Sequence, residues 1–336
     1  MKITVVGTGS IGKRHLSTLI NLKEKQNIKE IACFEINIER AESIKKKFNE
    51  ISVYSSLGDA VKGSDLIFIC VPTSLHYNVW REIKILGDFN YFFEKPLSHT
   101  FKNCDEMIFH QKRINKHAII GYMLRLHPVL NRAKTLIEEK IIGNILNVRA
   151  ESGFYLPFWH PWEDYRDFYM SWKTGGGGVL LDTSHEIDYL MWIFGDIKYV
   201  QGYTLTTSDL EITTDDYTSC LFEFDNGIMG ELHLDLLQPE ESRYVKVIGS
   251  KGVLIADITK NYVKYNTVEN IEWVNENIAV DFDKIYEEED NNAIDFIKGK
   301  PSITTSIVEG AKVMQVIEAI RRSSSIGTRI RLPIYD

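Results

Sequence analysis

Cysteine is scarce in this chain: four occur in 336 residues, at positions 33, 70, 104 and 220, and none forms a CxxC pair. No spacing among them matches a zinc site, and Cys33 and Cys70 lie in apolar strand-like runs where a thiol acts as a small hydrophobe. A reducing compartment fits that usage. Long hydrophobic runs are also missing. Leu66–Val71 and the other apolar stretches fall far short of the ~20 residues that cross a bilayer, and the N-terminus passes directly into a strand and glycines, with no cleavable leader. The expectation is a cytoplasmic protein without a membrane partner. Basic excess is absent too, with 39 Lys and Arg against 47 Asp and Glu and a formal net charge of −8. Binding to a phosphate backbone draws on lysine and arginine, so nucleic acid is not an expected partner. The short basic clusters Lys13-Arg14-His15, Lys45-Lys46-Lys47 and Arg321-Arg322 read as solvated helix faces. No internal repeat or low-complexity tract appears.

What is present is ordinary globular composition, 44% hydrophobic and 26% charged, over a length that suits two domains. Residues 2–6 (KITVV) form a β-branched run, followed by a glycine turn and an apolar helical pattern through Leu16, Leu19 and Ile20. Strands at 30–34, 65–71, 91–93 and 118–121 alternate with helical patterns such as 38–48, the rhythm of a doubly wound parallel sheet. After Gly121 that rhythm changes. A helix at 128–140 and a strand near 145–151 lead into an aromatic loop, a glycine run and a helix at about 180–194. From 199 to 273 the pattern is of strands: Leu232, Leu234 and Leu236 alternate with His233 and Asp235, and Asp225-Asn226-Gly227 and Gly249–Gly252 signal hairpin turns. A helix at 307–322 and a short strand at 329–332 end the chain. The expected fold class is α/β, with an N-terminal Rossmann sheet (1–121) and a C-terminal α+β domain on a largely antiparallel sheet (122–336), the latter serving substrate binding and oligomerisation.

Gly7-Thr8-Gly9-Ser10-Ile11-Gly12 matches GxGxxG directly after a strand and at the opening of a helix. There the glycines permit a tight turn and close backbone approach, and the helix N-terminus offers amides to a pyrophosphate. Glu35, ending the second strand, can accept hydrogen bonds from the adenosine ribose and repels a 2′-phosphate, which favours NAD over NADP. Pro72, Thr73 and His76 follow the next long strand at the edge where such sheets bind ligands. His76 there either borders the cofactor or serves the next helix. Glu94-Lys95-Pro96 follows the strand after that, at the same edge.

The glycine motif, Glu94-Lys95-Pro96, Gly121–Pro128 (GYMLRLHP) and Gly175–Asp188 (GGGGVLLDTSHEID), in that order, resemble the Gfo/Idh/MocA oxidoreductases, named for glucose-fructose oxidoreductase and inositol dehydrogenase. The resemblance runs from Lys2 to about Trp192; beyond that only architecture agrees. It implies that Lys95 lies beside the nicotinamide and contacts the substrate hydroxyl, where a fixed ammonium stabilises developing alkoxide character, and that a cis peptide before Pro96 aims it inward. It also implies that His185 is the general acid/base and Asp182 its partner or a substrate ligand. An ordinary histidine titrates near ~6.5, suited to that task. Asp182 and His185 stand three apart, where many relatives have four; both spacings keep one helix face. A metal site drawn from His160, Asp182, His185 and Glu186 is discounted, since Glu186 adjoins His185 and points elsewhere and hydride transfer needs no Lewis acid.

The loop 153–172 carries Phe154, Tyr155, Phe158, Trp159, His160, Trp162, Tyr165, Arg166, Tyr169 and Trp172. Aromatic faces stack on sugar rings, and Trp159, Tyr165 and Arg166, with Arg125 from GYMLRLHP, are candidate substrate ligands; about half of the aromatics suit interface core instead. His127 shares Arg125's segment. The function expected is NAD-dependent hydride transfer at a hydroxyl carbon of a sugar, sugar derivative or polyol. Two alternatives stay open: a non-catalytic NAD-binding regulator, and an enzyme whose tightly held NAD serves net epimerisation, elimination or glycoside cleavage. One apolar face of the second sheet needs cover, which predicts association, and the resemblance implies a homodimer or homotetramer.

Overall fold

The structure is a computed structural model that describes residues 1–159 and 161–334. The chain divides into two compact units, Met1–Met123 with Asp281–Ala311, and Leu124–Val280 with Lys312–Asp336.

The first unit opens with six strands and five helices in alternation: β1 (Lys2–Val6), α1 (Ser10–Asn21), β2 (Glu30–Phe34), α2 (Ile38–Lys47), β3 (Ile51–Tyr54), α3 (Leu57–Val61), β4 (Leu66–Ile69), α4 (His76–Ile83), β5 (Asn90–Glu94), α5 (Cys104–Ile114) and β6 (Ala118–Gly121). The six strands pair in parallel in the order β6-β5-β4-β1-β2-β3. Every residue of β4 and β6 is buried, as helices on both faces of a parallel sheet require. Helix starts follow the local chemistry. Asn37 caps α2 by accepting from the Arg40 amide at 2.9 Å, and the exposed Lys45, Lys46 and Lys47 fill its last turn against the dipole. His15 departs from the solvated face expected of its cluster: α1 turns it inward, and it is fully buried.

The second unit follows with α6 (Pro128–Glu138), β7 (Ile145–Tyr155), α7 (Leu156–Trp159), α8 (Val179–Asp182), α9 (His185–Phe194), β8 (Ile197–Leu205), β9 (Tyr217–Phe224), β10 (Met229–Asp235), β11 (Leu237–Gly249), β12 (Gly252–Asp257), β13 (Tyr262–Thr267) and β14 (Val274–Asn277). Its sheet runs β14-β13-β12-β11-β7-β10-β9-β8, antiparallel throughout except where β10 lies parallel to β7. Gly227, at φ +84°, makes the β9–β10 turn. Along β10, Leu232 and Leu234 are buried while Glu231 and His233 are partly exposed, the period-2 alternation of a sheet covered on one face.

The chain then returns to the first unit with α10 (Phe282–Ile297) and β15 (Thr305–Ser306), which pairs antiparallel with β6. A long helix, α11 (Ile307–Ile326), and β16 (Ile330–Arg331), paired with β8, complete the fold. The core of the first unit joins Ile3, Val5, Leu16, Leu19, Phe68 and Phe92 to Ala293 and Ile294 of α10. All four cysteines are free and buried. Among the described residues, no helix is long and apolar enough to cross a membrane.

Candidate functional site

In the first unit, the loops after β1, β2, β4 and β5 leave the same edge of a parallel sheet. Strand order reverses between β1 and β4, the switch point where open α/β sheets bind ligands. Gly7 takes φ +88°, and a Cβ there would come within 2.9 Å of the Cys70 carbonyl oxygen. A Cβ on Gly12 would overlap the Gly7 carbonyl oxygen, so helix α1 can leave the turn this closely only as glycine. Gly9 differs: a Cβ there would meet nothing within 4 Å, and the backbone faces open space. As N-cap of α1, Gly9 has no side chain to occupy the first-turn amides of Ser10, Ile11 and Gly12, and no carboxylate stands in that turn. An anion therefore meets uncompensated N–H dipoles.

Glu35 follows β2 and is buried. Its Oε2 accepts from the Thr8 amide at 2.8 Å and the Thr8 hydroxyl at 3.0 Å, and its Oε1 accepts from the Asn37 amide at 2.9 Å. Arg40 lies 3.5 Å from Oε1. Burial pushes the carboxyl pKa up, but the bonds from Asn37 and Thr8, with Arg40, outweigh it and hold it below the usual carboxylate range. Glu35 is thus an anchored anion beside the glycine turn.

Pro72 and the buried Thr73 follow β4, and His76 opens α4. His76 is buried between two of these loops, its Nδ1 3.1 Å from the Pro96 carbonyl and its Nε2 2.9 Å from the Val71 carbonyl. Burial lowers its pKa despite those acceptors, and the ring packs between the two loops, its single N–H when neutral donating to one of the two carbonyls. Glu94 ends β5, with Oε2 accepting from the Lys95 amide at 3.3 Å and Oε1 facing His15 Nε2 at 2.8 Å. The Lys95–Pro96 peptide is cis, and Lys95 is partly exposed.

In the second unit, Asp182 ends α8 and His185 begins α9, both largely buried. One continuous helix was the expectation over 180–194. The structure instead breaks it at Thr183 and Ser184, where the Thr183 hydroxyl donates back to the Val179 carbonyl at 2.5 Å, the local competition that Ser and Thr offer a helix. Asp182 Oδ1 accepts from the Tyr169 hydroxyl at 2.6 Å, which ties the aromatic loop to the Asp182 turn. The same turn is braced from below: the Leu180 amide donates to Asp215 Oδ2 at 2.8 Å.

Arg125 directs its fork at Asp188, Nε to Oδ2 at 2.9 Å and Nη2 to Oδ1 at 2.8 Å, both side chains buried. Asp188 stands one turn beyond His185 on α9, so this pair anchors the helix that begins with the histidine. Glu186 pairs with Arg243 at 2.8 Å, an engagement that sets it apart from His185. Burial, reinforced by Arg243, pushes the His127 pKa down to about 4, so His127 is neutral at neutral pH. Trp159 is 43% exposed and rests on Phe154 at 5.1 Å between rings. The Tyr165 hydroxyl accepts from the Glu211 amide at 3.2 Å. Arg166 is bound by Asp164, with Nη2 to Oδ2 at 2.6 Å, and lies near Glu211; the guanidinium holds the Asp164 pKa down to about 2. Phe158 and Trp162 are also exposed, whereas Met170 and Ser171 bury the loop's base. His160 lies outside the described residues.

Sequence reasoning missed His15, Tyr169 as the partner of Asp182, and Asp290. His15 Nδ1 faces Asp290 Oδ1 at 2.7 Å. His15, Glu94 and Glu289 also bring potential metal-ligand atoms within 4.8 Å of one another, but both His15 nitrogens already face carboxylates.

Two sequence models of one family match the chain: the NAD-binding Rossmann fold of the oxidoreductase family over residues 1–122, and the GFO/IDH/MocA C-terminal domain over residues 130–255. Among curated relatives, glucose-6-phosphate 3-dehydrogenase of Bacillus subtilis is 23% identical over 74% of this chain and 72% of its own length. The 2,7-anhydro-N-acetylneuraminate hydratase of Escherichia coli is 25% identical over 76% of this chain and 67% of its own. Among solved structures, the WlbA dehydrogenase of Bordetella pertussis, in complex with NADH and UDP-GlcNAcA, superposes with a TM-score of 0.81 at 20% identity, covering 100% of this chain and 99% of the other.

Proposed function

Since the chain belongs to the Gfo/Idh/MocA family of NAD-binding oxidoreductases, we propose that it transfers a hydride between NAD and a hydroxyl carbon of a sugar, sugar derivative or polyol. The observation that carries the reading is the edge of the parallel sheet. There an uncapped, glycine-lined helix N-terminus, the anchored Glu35 carboxylate and the Glu94-Lys95 segment follow β1, β2 and β5 at one edge. The residues fit the dinucleotide. The α1 amides and Gly9 would take the pyrophosphate, Glu35 the adenosine ribose, and Pro72, Thr73 and Lys95 the nicotinamide end. NAD, when bound, supplies the hydride acceptor or donor.

The chain's own groups do the rest. Lys95 holds the substrate oxygen and stabilises the charge that grows on it as the carbinol carbon loses hydride. His185 takes the hydroxyl proton, and Asp182, steadied by Tyr169, orients substrate or imidazole. Trp159 and Tyr165 offer ring faces to the sugar, with Arg166 and Arg125 as polar neighbours of that region. The substrate class rests on the relatives named above, which include a sugar-phosphate dehydrogenase. The protein is proposed to act as a cytoplasmic homo-oligomer, either dimer or tetramer, through the sheet face that carries the exposed Tyr203, Leu205 and Leu221.

Purified protein is mixed with NAD and, separately, with glucose, glucose 6-phosphate, levoglucosan, myo-inositol and UDP-GlcNAcA, and the reduced-nicotinamide absorbance is followed. Appearance of that band with at least one compound supports the reading. Tight NADH binding with no reduction by any of them points to a non-catalytic NAD-binding regulator. The hydratase relative favours one second reading, a cycle in which tightly held NAD is reduced and reoxidised; NAD that stays with the protein through purification and gel filtration would support it.

A further inference from the structure

His15 lies one turn beyond Gly12 on the helix that opens the glycine motif, enclosed by Phe68 at 5.1 Å and Phe92 at 5.2 Å between rings. Its two nitrogens face two carboxylates. Nδ1 meets Asp290 of α10 at 2.7 Å, and Nε2 meets Glu94 at the end of β5 at 2.8 Å. The other oxygen of Asp290 accepts from the Thr18 hydroxyl, and the other oxygen of Glu94 accepts from the Lys95 amide at 3.3 Å. A neutral imidazole has one N–H and can serve only one carboxylate; two ionised partners are both satisfied only by the doubly protonated ring. Burial pulls the His15 pKa down, but the charge and hydrogen bond of Asp290, joined by those of Glu94, outweigh it and hold it well above 6.5. The Glu289 carboxyl, in the same cluster, has its pKa driven well up, mainly by burial and by Glu94.

Such a cluster is a poor source of stability, because well-packed apolar residues in its place are often as stable or more so. What it does provide is geometry. Glu94 cannot leave its position without taking from a buried cation one of its two carboxylate partners, and the Lys95 amide is hydrogen-bonded to that same carboxylate. We propose that His15, braced by Asp290, is a positioning residue for Lys95: it clamps the Glu94 carboxylate and so fixes the Lys95 segment relative to the glycine turn borne on the same helix. The inference rests on Lys95 acting at the substrate hydroxyl.

The test combines the substrate turned over fastest in the panel above with two substrate-free readouts, ¹⁵N NMR of histidine-labelled protein at pH 8 and NADH titration by fluorescence. Wild-type His15 is expected to show both nitrogens protonated. Asp290→Asn is expected to release one of those protons and to lower kcat at least ~10-fold, since misplacement of a reacting group by a fraction of an ångström carries that penalty, while the Kd for NADH changes less than about 2-fold. His15→Gln, which removes the charge that holds Glu94 while leaving an amide donor in its place, serves as the second variant should Asp290→Asn not fold, and it is expected to show the same split. A singly protonated His15 in wild type, or a folded variant with wild-type kcat, overturns the proposal. Lys95→Met separates the two claims. If it keeps full turnover, the role given to Lys95 fails and this inference with it; if it is inactive while folded His15→Gln and Asp290→Asn turn over normally, only the positioning role fails.

Discussion

Gly9 and Gly12 occupy the same turn, yet a side chain added at each should act on folding with opposite sign and on NADH binding with the same sign. At Gly12 a Cβ would lie inside 3.0 Å of the Gly7 carbonyl oxygen, with the Gly7 carbonyl carbon at 3.1 Å and the Cys70 side chain at 3.4 Å. Backbone atoms cannot rotate away, so Gly12→Ala must open the turn, an overpacking cost of about 1–3 kcal/mol. At roughly 2–4 °C per kcal/mol for a unit of this size, Tm falls by several degrees. At Gly9 no atom lies within 4 Å and φ is −62°, a conformation open to any L-residue. Gly9→Ser therefore adds no strain, and its hydroxyl can accept from the first-turn amides, so Tm holds or rises by the equivalent of roughly a few tenths of a kcal/mol. Both variants should weaken NADH at least ~10-fold, or about 1.4 kcal/mol, Gly12→Ala by distorting the cradle and Gly9→Ser by filling it. Fluorescence titration with NADH and differential scanning fluorimetry read the two quantities on the same samples. Wild-type affinity in a folded Gly9→Ser protein would refute the assignment of this helix end to the pyrophosphate.

Other perturbations test separate parts of the structure. Glu35→Ser removes the anion and leaves Arg40 beside the vacated position, so the ratio of NADPH to NADH affinity should rise at least ~10-fold by parallel titrations. Because the folded Glu35 pKa is depressed, its stabilising contribution is complete above the unfolded value of ~4.3 and is lost as pH falls through the lower folded value. The stability gap between wild type and Glu35→Gln in urea should accordingly be constant near neutrality and close in acid. Arg125→Met takes the bidentate guanidinium away from the buried Asp188 carboxylate and should cost about 3–5 kcal/mol in urea unfolding, with much of that regained in the Arg125→Met, Asp188→Leu double variant. Tyr169→Phe loses the bond to Asp182, about 1 kcal/mol, and should lower kcat/KM several-fold while NADH affinity stays unchanged.

The parallel sheet was legible because its strands are nearly continuous apolar runs bounded by turn residues, and the antiparallel sheet because Leu232 and Leu234 alternate with His233 and Asp235. Helix α10 was not. Its buried positions include Glu289 and Asp290 beside Ile285, Ala293 and Ile294, and two carboxylates on the inward face erase the apolar stripe on which a periodicity reading depends. His15 was hidden for the matching reason: Lys13 and Arg14 made the trio look solvated, although His15 falls four residues before the buried Leu19, on the inward face of α1. Its partner lies 275 residues away in sequence, a distance at which no local pattern can pair a histidine with an aspartate. Asp182 and His185 were found through motif order, but the helix break between them, at Thr183 and Ser184, left no signature. Arg125 stood out through its place in GYMLRLHP; that its fork is met by Asp188 becomes visible only in three dimensions.

The most direct measurement is isotopic. A sugar or polyol that reduces NAD in the panel is prepared with deuterium on its carbinol carbon, and the nicotinamide formed in a single turnover is analysed by mass spectrometry, in wild type and in Lys95→Met and His185→Asn. Hydride transfer from a hydroxyl carbon predicts one deuterium in the reduced nicotinamide of wild type, and formation slowed by at least ~10²-fold in both variants that still bind NADH. Reduced nicotinamide without the label, or label transfer at the wild-type rate in either variant, would contradict it.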